Sequence, residues 1–305
     1  MTEGNERAVL GVHHGAPAFE VPAGAADTHV HVFGPAARFP FAADRSYTPG
    51  EATVANLLRL QALLRLDRVV LVQPSPYGTD NRGLLAALSE LGARARAVAV
   101  VDPAASDEEL QHLRAAGVRG ARLNLESAGE HDPALALDGL RRLAARIAPL
   151  GWHLQTYTTL PVIAALSTLP VPLVIDHFGR AAAARGIEQP GFAALLALVG
   201  AGRAYVKLSA PCRISAASDY ADVATIARAL IRANPDRMLW ATDWPHTARR
   251  RDPRAANPHA APAAIEPFEA EDDGRALNRL HEWTAGDRDL LHRILVRNPA
   301  RLYGF

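Results

Sequence analysis

A chain of 305 residues, 49% of it hydrophobic, is long enough to bury one large α/β core, because α/β barrels of this length form a single domain. The formal net charge of +1 supplies no field for nucleic acid or a membrane surface, and the single cysteine, Cys212, excludes an internal disulfide or a cysteine-rich metal knuckle. No apolar run reaches the roughly 18 residues of a membrane span, so the expected setting is a reducing cytoplasm.

Residues 1–24 lack a basic stretch followed by an apolar core and read as a loosely ordered arm, with His13 and His14 given no chemical task. Short, β-branched, evenly spaced apolar runs follow at 27–33, 68–73, 95–101, 117–125, 152–158, 173–178, 204–209 and 238–243. Strands that are apolar throughout are buried on both faces, as in a parallel sheet covered by helices. Helical patterns fill the intervals, among them 53–66, 83–91, 107–116 and 137–148. Eight strand–helix alternations predict a (β/α)8 TIM barrel over 25–305, and no glycine-rich phosphate turn follows the first strand to suggest an open doubly wound sheet. After the eighth strand the stretch 244–286, rich in proline, alanine and arginine and including Arg249, Arg250 and Arg251, reads as a long loop. A last helix is expected at 287–297.

In such a barrel the chemistry sits at the C-terminal ends of the strands. The polar residues there are His29 and His31, placed on one side of strand one by its period of two, then Gln73 and Ser75, Arg122 and Asn124, Gln155 and Tyr157. Strand six adds His177, strand seven Ser209 and Arg213, and strand eight Asp243 and His246. Singly, each has an ordinary structural explanation; together, three histidines and an aspartate converging at one mouth point to catalysis.

The segment Asp27-Thr28-His29-Val30-His31 resembles the His-x-His start of the amidohydrolase superfamily. Asp176-His177-Phe178-Gly179, Val206-Lys207-Leu208-Ser209, Thr242-Asp243-Trp244-Pro245-His246 and the Asn298 to Phe305 ending are similar to its lactonase branch, which includes pyrone-dicarboxylate and sulfomuconolactone hydrolases. The resemblance runs from Asp27 to the C-terminus. It implies a hydrolase that opens a carboxylated lactone: a pyrone dicarboxylate, a muconolactone or a sugar-acid lactone. Asp243 would act as general base on water, and His29, His31 and His177, at least one of them cationic, would stabilise the oxyanion. Arg122 and Arg213 suit carboxylate recognition, with Ser75, Tyr47, Tyr157, Gln155 and His246 also expected at the substrate.

Metal-dependent relatives add a strand-four Lys or Glu and a strand-five His, where this chain has Arg122 and Gln155; His153 lies too deep. A metal-free site is therefore expected, with zinc or another divalent ion on His29, His31, His177 and Asp243 as the alternative. Asn124-Leu125-Glu126-Ser127 stands where the pyrone-dicarboxylate enzyme has a second basic residue, which leaves the choice of lactone open. A sugar-lactone isomerase, a metal-dependent aromatic-acid decarboxylase and a non-catalytic carboxylate-binding barrel are the competing readings. The expected partner is a small acidic lactone, with neither nucleic acid nor membrane, and the protein a monomer or homodimer.

Overall fold

The computed structural model describes residues 6–126, 129–130, 132–166, 169–247 and 264–305. Eight parallel strands follow one another around a barrel: β1 (Ala26–Val30), β2 (Arg68–Val72), β3 (Ala95–Ala99), β4 (Val118–Asn124), β5 (His153–Tyr157), β6 (Leu173–Ile175), β7 (Ala204–Leu208) and β8 (Met238–Trp240). Each is hydrogen-bonded to its sequence neighbour, as right-handed strand–helix–strand crossovers require. Helices α1 (Val54–Leu64), α2 (Arg82–Leu91), α3 (Asp107–Ala116), α4 (Pro133–Ile147), α5 (Leu160–Ala164), α6 (Phe192–Gly200), α7 (Val223–Ala233) and α8 (Asp273–Trp283) form the outer layer. The expected (β/α)8 architecture is thus the one observed.

Most of the core lies between the sheet and the helices, while a smaller cluster fills the barrel. The inner cluster holds Val70, Val72, Val98, Val174, Tyr205 and Leu239, and Tyr303 from the C-terminal helix closes its lower end. Helix starts are set by side chains that accept the first free amides. Thr53 and Asn56 make a reciprocal capping box on α1, and Asp132 accepts from Ala134 and Leu135 ahead of Pro133. That cap starts α4 at 133 rather than 137.

No ladder joins β8 to β1 among the described residues; individual bonds make the seam. Asp243 N donates to the His29 carbonyl (3.0 Å), and His31 N to that of Trp244 (2.8 Å). Thr28 Oγ1 donates to the Trp240 carbonyl at 2.8 Å. The buried Asp27 carboxylate accepts from His29 N and Thr242 N, both at 3.1 Å, and from Thr242 Oγ1 at 2.5 Å.

Two expectations are corrected. The stretch after β8 is not loop throughout: Leu277, Leu280 and Trp283 give α8 a buried stripe, and Ile265–Glu266 pairs in parallel with Thr48–Pro49. The arginine run at 249–251 lies outside the described residues. The described part of the arm, residues 6–24, is not loose either, because Ala8–Val9 and Val12–His13 form a hairpin and His14 is buried. Arg7 ties it by donating to the carbonyls of His14 and Gly15 at 2.7 and 2.9 Å. No helix among the described residues is long and apolar enough to cross a membrane.

Candidate active site

The three histidines and Asp243 meet at the upper mouth. His29 Nε2, His31 Nε2 and His177 Nε2 lie 3.6, 3.7 and 3.6 Å from one atom, Asp243 Oδ1. The other oxygen, Oδ2, accepts from Arg213 Nε at 2.9 Å and Nη2 at 2.7 Å. Backbone conformation aims these groups: Asp243 and His177 take left-handed φ values of 71° and 50°, as do Phe178, Arg180 and His246. Non-glycine residues in that region are strained, and such strain gathers where side-chain aim matters.

Each imidazole is fixed from behind. His31 Nδ1 is 2.8 Å from the Val72 carbonyl; because that oxygen can only accept, Nδ1 carries the proton and Nε2 a lone pair. His177 Nδ1 meets Ser209 Oγ at 2.8 Å. His29 Nδ1 lies 3.3 Å from Asp176 Oδ1 and 3.2 Å from Lys207 Nζ. Beneath it, Asp176 Oδ2 accepts from Arg122 Nε (3.1 Å) and Gln155 Nε2 (3.2 Å), and Lys207 donates to Gln155 Oε1 at 2.9 Å.

Burial pulls His31 and His177 down to about 4 and His29 well below its usual value, the last with help from Lys207. Burial thus disfavours the imidazolium form at all three positions, against the cationic imidazole expected from the sequence. The positive charge comes from Arg213, Arg122 and Lys207 instead. Burial alone would raise the Asp243 carboxyl, but the Arg213 guanidinium and the surrounding imidazoles outweigh it and hold the group far below the usual carboxylate range. Burial lowers Lys207 to about 8.

Tyr157 sits edge-on to His177 with ring centroids 5.0 Å apart, flanked by the guanidiniums of Arg213 and Arg180 at 5.8 and 5.5 Å. Ser75 Oγ accepts from Asn124 Nδ2 at 3.0 Å. Tyr47 is buried. Two residues expected at the substrate are elsewhere. Gln155 is fully buried with both amide atoms engaged by Asp176 and Lys207, a strut below the histidines. His246 turns away to Asp273 Oδ1, 3.0 Å distant.

Sequence reasoning missed Asp176, Lys207 and Arg180 as members of the site. A lysine inside the apolar run 204–208 was the one available signal, since a buried lysine needs a partner.

The donor set fits a divalent cation. His29 Nε2 and Asp243 Oδ1 are buried without hydrogen-bond partners, and His29, His177 and Asp243 each offer a ligand atom within 4.8 Å of the others. Separations near 3.6 Å are too long for hydrogen bonds, yet close to the edge of a tetrahedral shell with bonds of about 2.1 Å.

Residues 26–305 match the amidohydrolase family. The chain is 37% identical over 302 residues to the 2-pyrone-4,6-dicarboxylate hydrolase of Comamonas testosteroni, covering 94% of this chain and 92% of that one. It is 33% identical over 301 residues to the 4-sulfomuconolactone hydrolase of Hydrogenophaga intermedia, covering 96% and 93%. A ligand-free crystal structure from Agrobacterium tumefaciens superposes with a TM-score of 0.80 at 28% identity, covering 96% of this chain and 98% of that one.

Proposed function

The chain belongs to the amidohydrolase family, and from that premise we propose that it is a hydrolase opening the ring of a carboxylated lactone. One observation carries the reading: three Nε2 atoms surround one oxygen of Asp243 while a guanidinium grips the other. Such a set holds a water against a carboxylate and presents N–H donors to the oxygen on which charge develops.

Asp243 takes a proton from the water as its oxygen attacks the lactone carbonyl. The ring C–O bond then breaks, and the proton passes to the departing ring oxygen. His31, whose Nε2 bears a lone pair, accepts from the water and orients it. His177 donates from Nε2 to the oxyanion in the tautomer in which the Ser209 hydroxyl donates to its Nδ1, with His29 Nε2 beside it. Removing one oxyanion donor costs roughly 2.7–4 kcal/mol of barrier in comparable sites. Arg213 and Arg122, which also hold Asp243 and Asp176, receive substrate carboxylates beside Tyr157, while Arg180 is paired with Glu126.

The reaction runs on these residues without a resident metal. Arg213 on Asp243, Arg122 on Asp176 and Lys207 on His29 supply positive charge at the site in this reading. If a divalent cation were present, His29, His177 and Asp243 would hold it, and it would polarise the carbonyl and acidify a water.

Turnover of pyrone-dicarboxylate, muconolactone-type, sulfonated and sugar-acid lactones, with and without chelator, tests both parts. Ring opening that survives chelation is the expected result. Loss on chelation with recovery on zinc overturns the metal-free part alone; no turnover of any acidic lactone overturns the whole reading.

A further inference from the structure

At the end of the barrel remote from the histidines, a cavity of about 560 Å³ opens between the segments that lead into β5, β6, β7 and β8 and the C-terminal helix. Its size is that of a small-molecule site, roughly 300–1,000 Å³. Arg203, Arg237 and Arg301 line it together with Tyr205 and His153, and no aspartate or glutamate does. Asp236, the nearest acid in sequence to Arg237, pairs with Arg293 at 3.5 Å instead. Among the described residues none of the three arginines forms an ion pair.

Two of these guanidiniums are set in place. Arg237 donates from Nε to the Gly202 carbonyl and from Nη1 to the Tyr205 hydroxyl, both at 2.9 Å, and its guanidinium lies 4.7 Å from the centre of the Tyr205 ring. Arg203 donates from Nη2 to the Leu169 carbonyl at 2.8 Å. Each keeps further N–H groups, and Tyr205, accepting from Arg237, keeps its phenolic proton to donate. Arg301 is exposed at the rim.

His153 supplies a second, independent sign. It is 1% exposed, and neither ring nitrogen makes a well-formed hydrogen bond, the Arg119 backbone offering only a weak one. A Cβ on Gly120, its partner across β4 and β5, would stand 2.4 Å from the ring, so the chain keeps that place open for an imidazole. In folded proteins generally, most buried donors and acceptors are paired, so such a ring calls for an explanation. A solvated surface patch accounts for three arginines, but not for a poorly satisfied imidazole beneath them.

We propose that this mouth of the barrel is a second binding site, for a small anion bearing at least two carboxylate or phosphate groups. Guanidiniums recognise either group bidentately, and a concave lining of one charge sign raises the local concentration of such an ion. The site lies apart from the lactone chemistry and does not rest on it.

The test is calorimetric titration of the full-length protein in a cationic buffer, with inorganic phosphate and, separately, citrate. The wild type is compared with an Arg203→Ala/Arg301→Ala variant whose fold is checked by circular dichroism and thermal melting. We expect one binding event of the wild type to weaken by about tenfold or more in the variant, since each lost guanidinium removes a charge-assisted pair. Loss for citrate only assigns a carboxylate ligand, and loss for phosphate only a phosphate ligand. Identical isotherms for both proteins, or no binding by the wild type into the millimolar range, overturn the proposal. So does an event that Arg122→Met abolishes and the double variant leaves intact, because the anion then sits at the catalytic mouth.

Discussion

Asp243 has two oxygens with different surroundings, and its expected behaviour follows from that split. Oδ2 is held by Arg213, while Oδ1 faces the imidazoles without a hydrogen bond. An anionic substrate that draws Arg213 toward its own carboxylate would relieve Asp243 of the charge that makes it a weak base. Asp243→Asn keeps the shape and removes the base; kcat is expected to fall by about 100- to 10,000-fold with KM changed only a few-fold. Steady-state kinetics on the best lactone check this, and retained turnover removes Asp243 as the base. His153 yields a pH prediction of its own. Burial, reinforced by Lys207, lowers it from 6.5 to about 3. The unfolded chain therefore takes up a proton near pH 6.5 that the folded protein takes up only near pH 3. Its contribution to stability is complete above the upper value and is lost as pH falls toward the lower, at about 1.4 kcal/mol per pH unit. Asp27, raised by burial to about 7, acts in the opposite sense over much of this range. Urea unfolding of wild type and His153→Gln between pH 7 and 4, in buffers free of multivalent anions, should show a shallower acid loss in the variant; parallel curves would mean that His153 is already protonated in the fold.

The strands were legible because a parallel sheet covered on both faces must be built from continuous β-branched runs, and the period of two placed His29 and His31 on one side. For the same reason, such runs do not tell which residues face inward. That is why Gln155 was read as a substrate contact and Asp176 and Lys207 went unread as its partners. Register explains the strut: Arg122 and Gln155 are direct neighbours across β4 and β5, so both reach the Asp176 carboxylate. Strands β6 and β8 end earlier than their apolar runs because the chain turns left-handed at His177 and Asp243 to aim them. The arm and α8 show the limit of local reading, since their order arises from contact with each other. Gly15 N donates to Asp272 Oδ1 at 2.8 Å, and a Cβ on Gly274 would come within 1.9 Å of the Gly15 carbonyl oxygen. Gly274→Ala should therefore lift the arm from α8, at a cost of about 1–3 kcal/mol, the range for overpacking a close contact. Faster proteolysis ahead of residue 15 with a lower urea midpoint is the expected pair of results; an unchanged cleavage pattern would show that the arm accommodates the methyl group.

Across the whole molecule, the charge balance near neutrality hides an uneven distribution. One mouth holds cations paired with Asp176 and Asp243, while the other holds three arginines without carboxylates. No summed composition reveals this, because it depends on which loops a barrel gathers at each end. Barrel closure is equally invisible in the sequence. Seven of the eight strand contacts are ladders, and the eighth, between β8 and β1, is stitched by a few bonds around Asp27, Thr28 and the backbones of His29 and His31. The lips of that seam carry His29 and His31 on one side and Asp243 on the other. Local opening follows the weakest set of contacts, so the molecule should breathe there first. Amide hydrogens of His31 and Asp243 are expected to exchange with solvent before those of Val70 or Val206, and activity to vanish at urea concentrations that leave the helical signal whole. A parting of the lips too small to count as unfolding already separates the base from the imidazoles. The working life of this enzyme on heating is then expected to follow its seam, with stabilised outer helices lengthening it little.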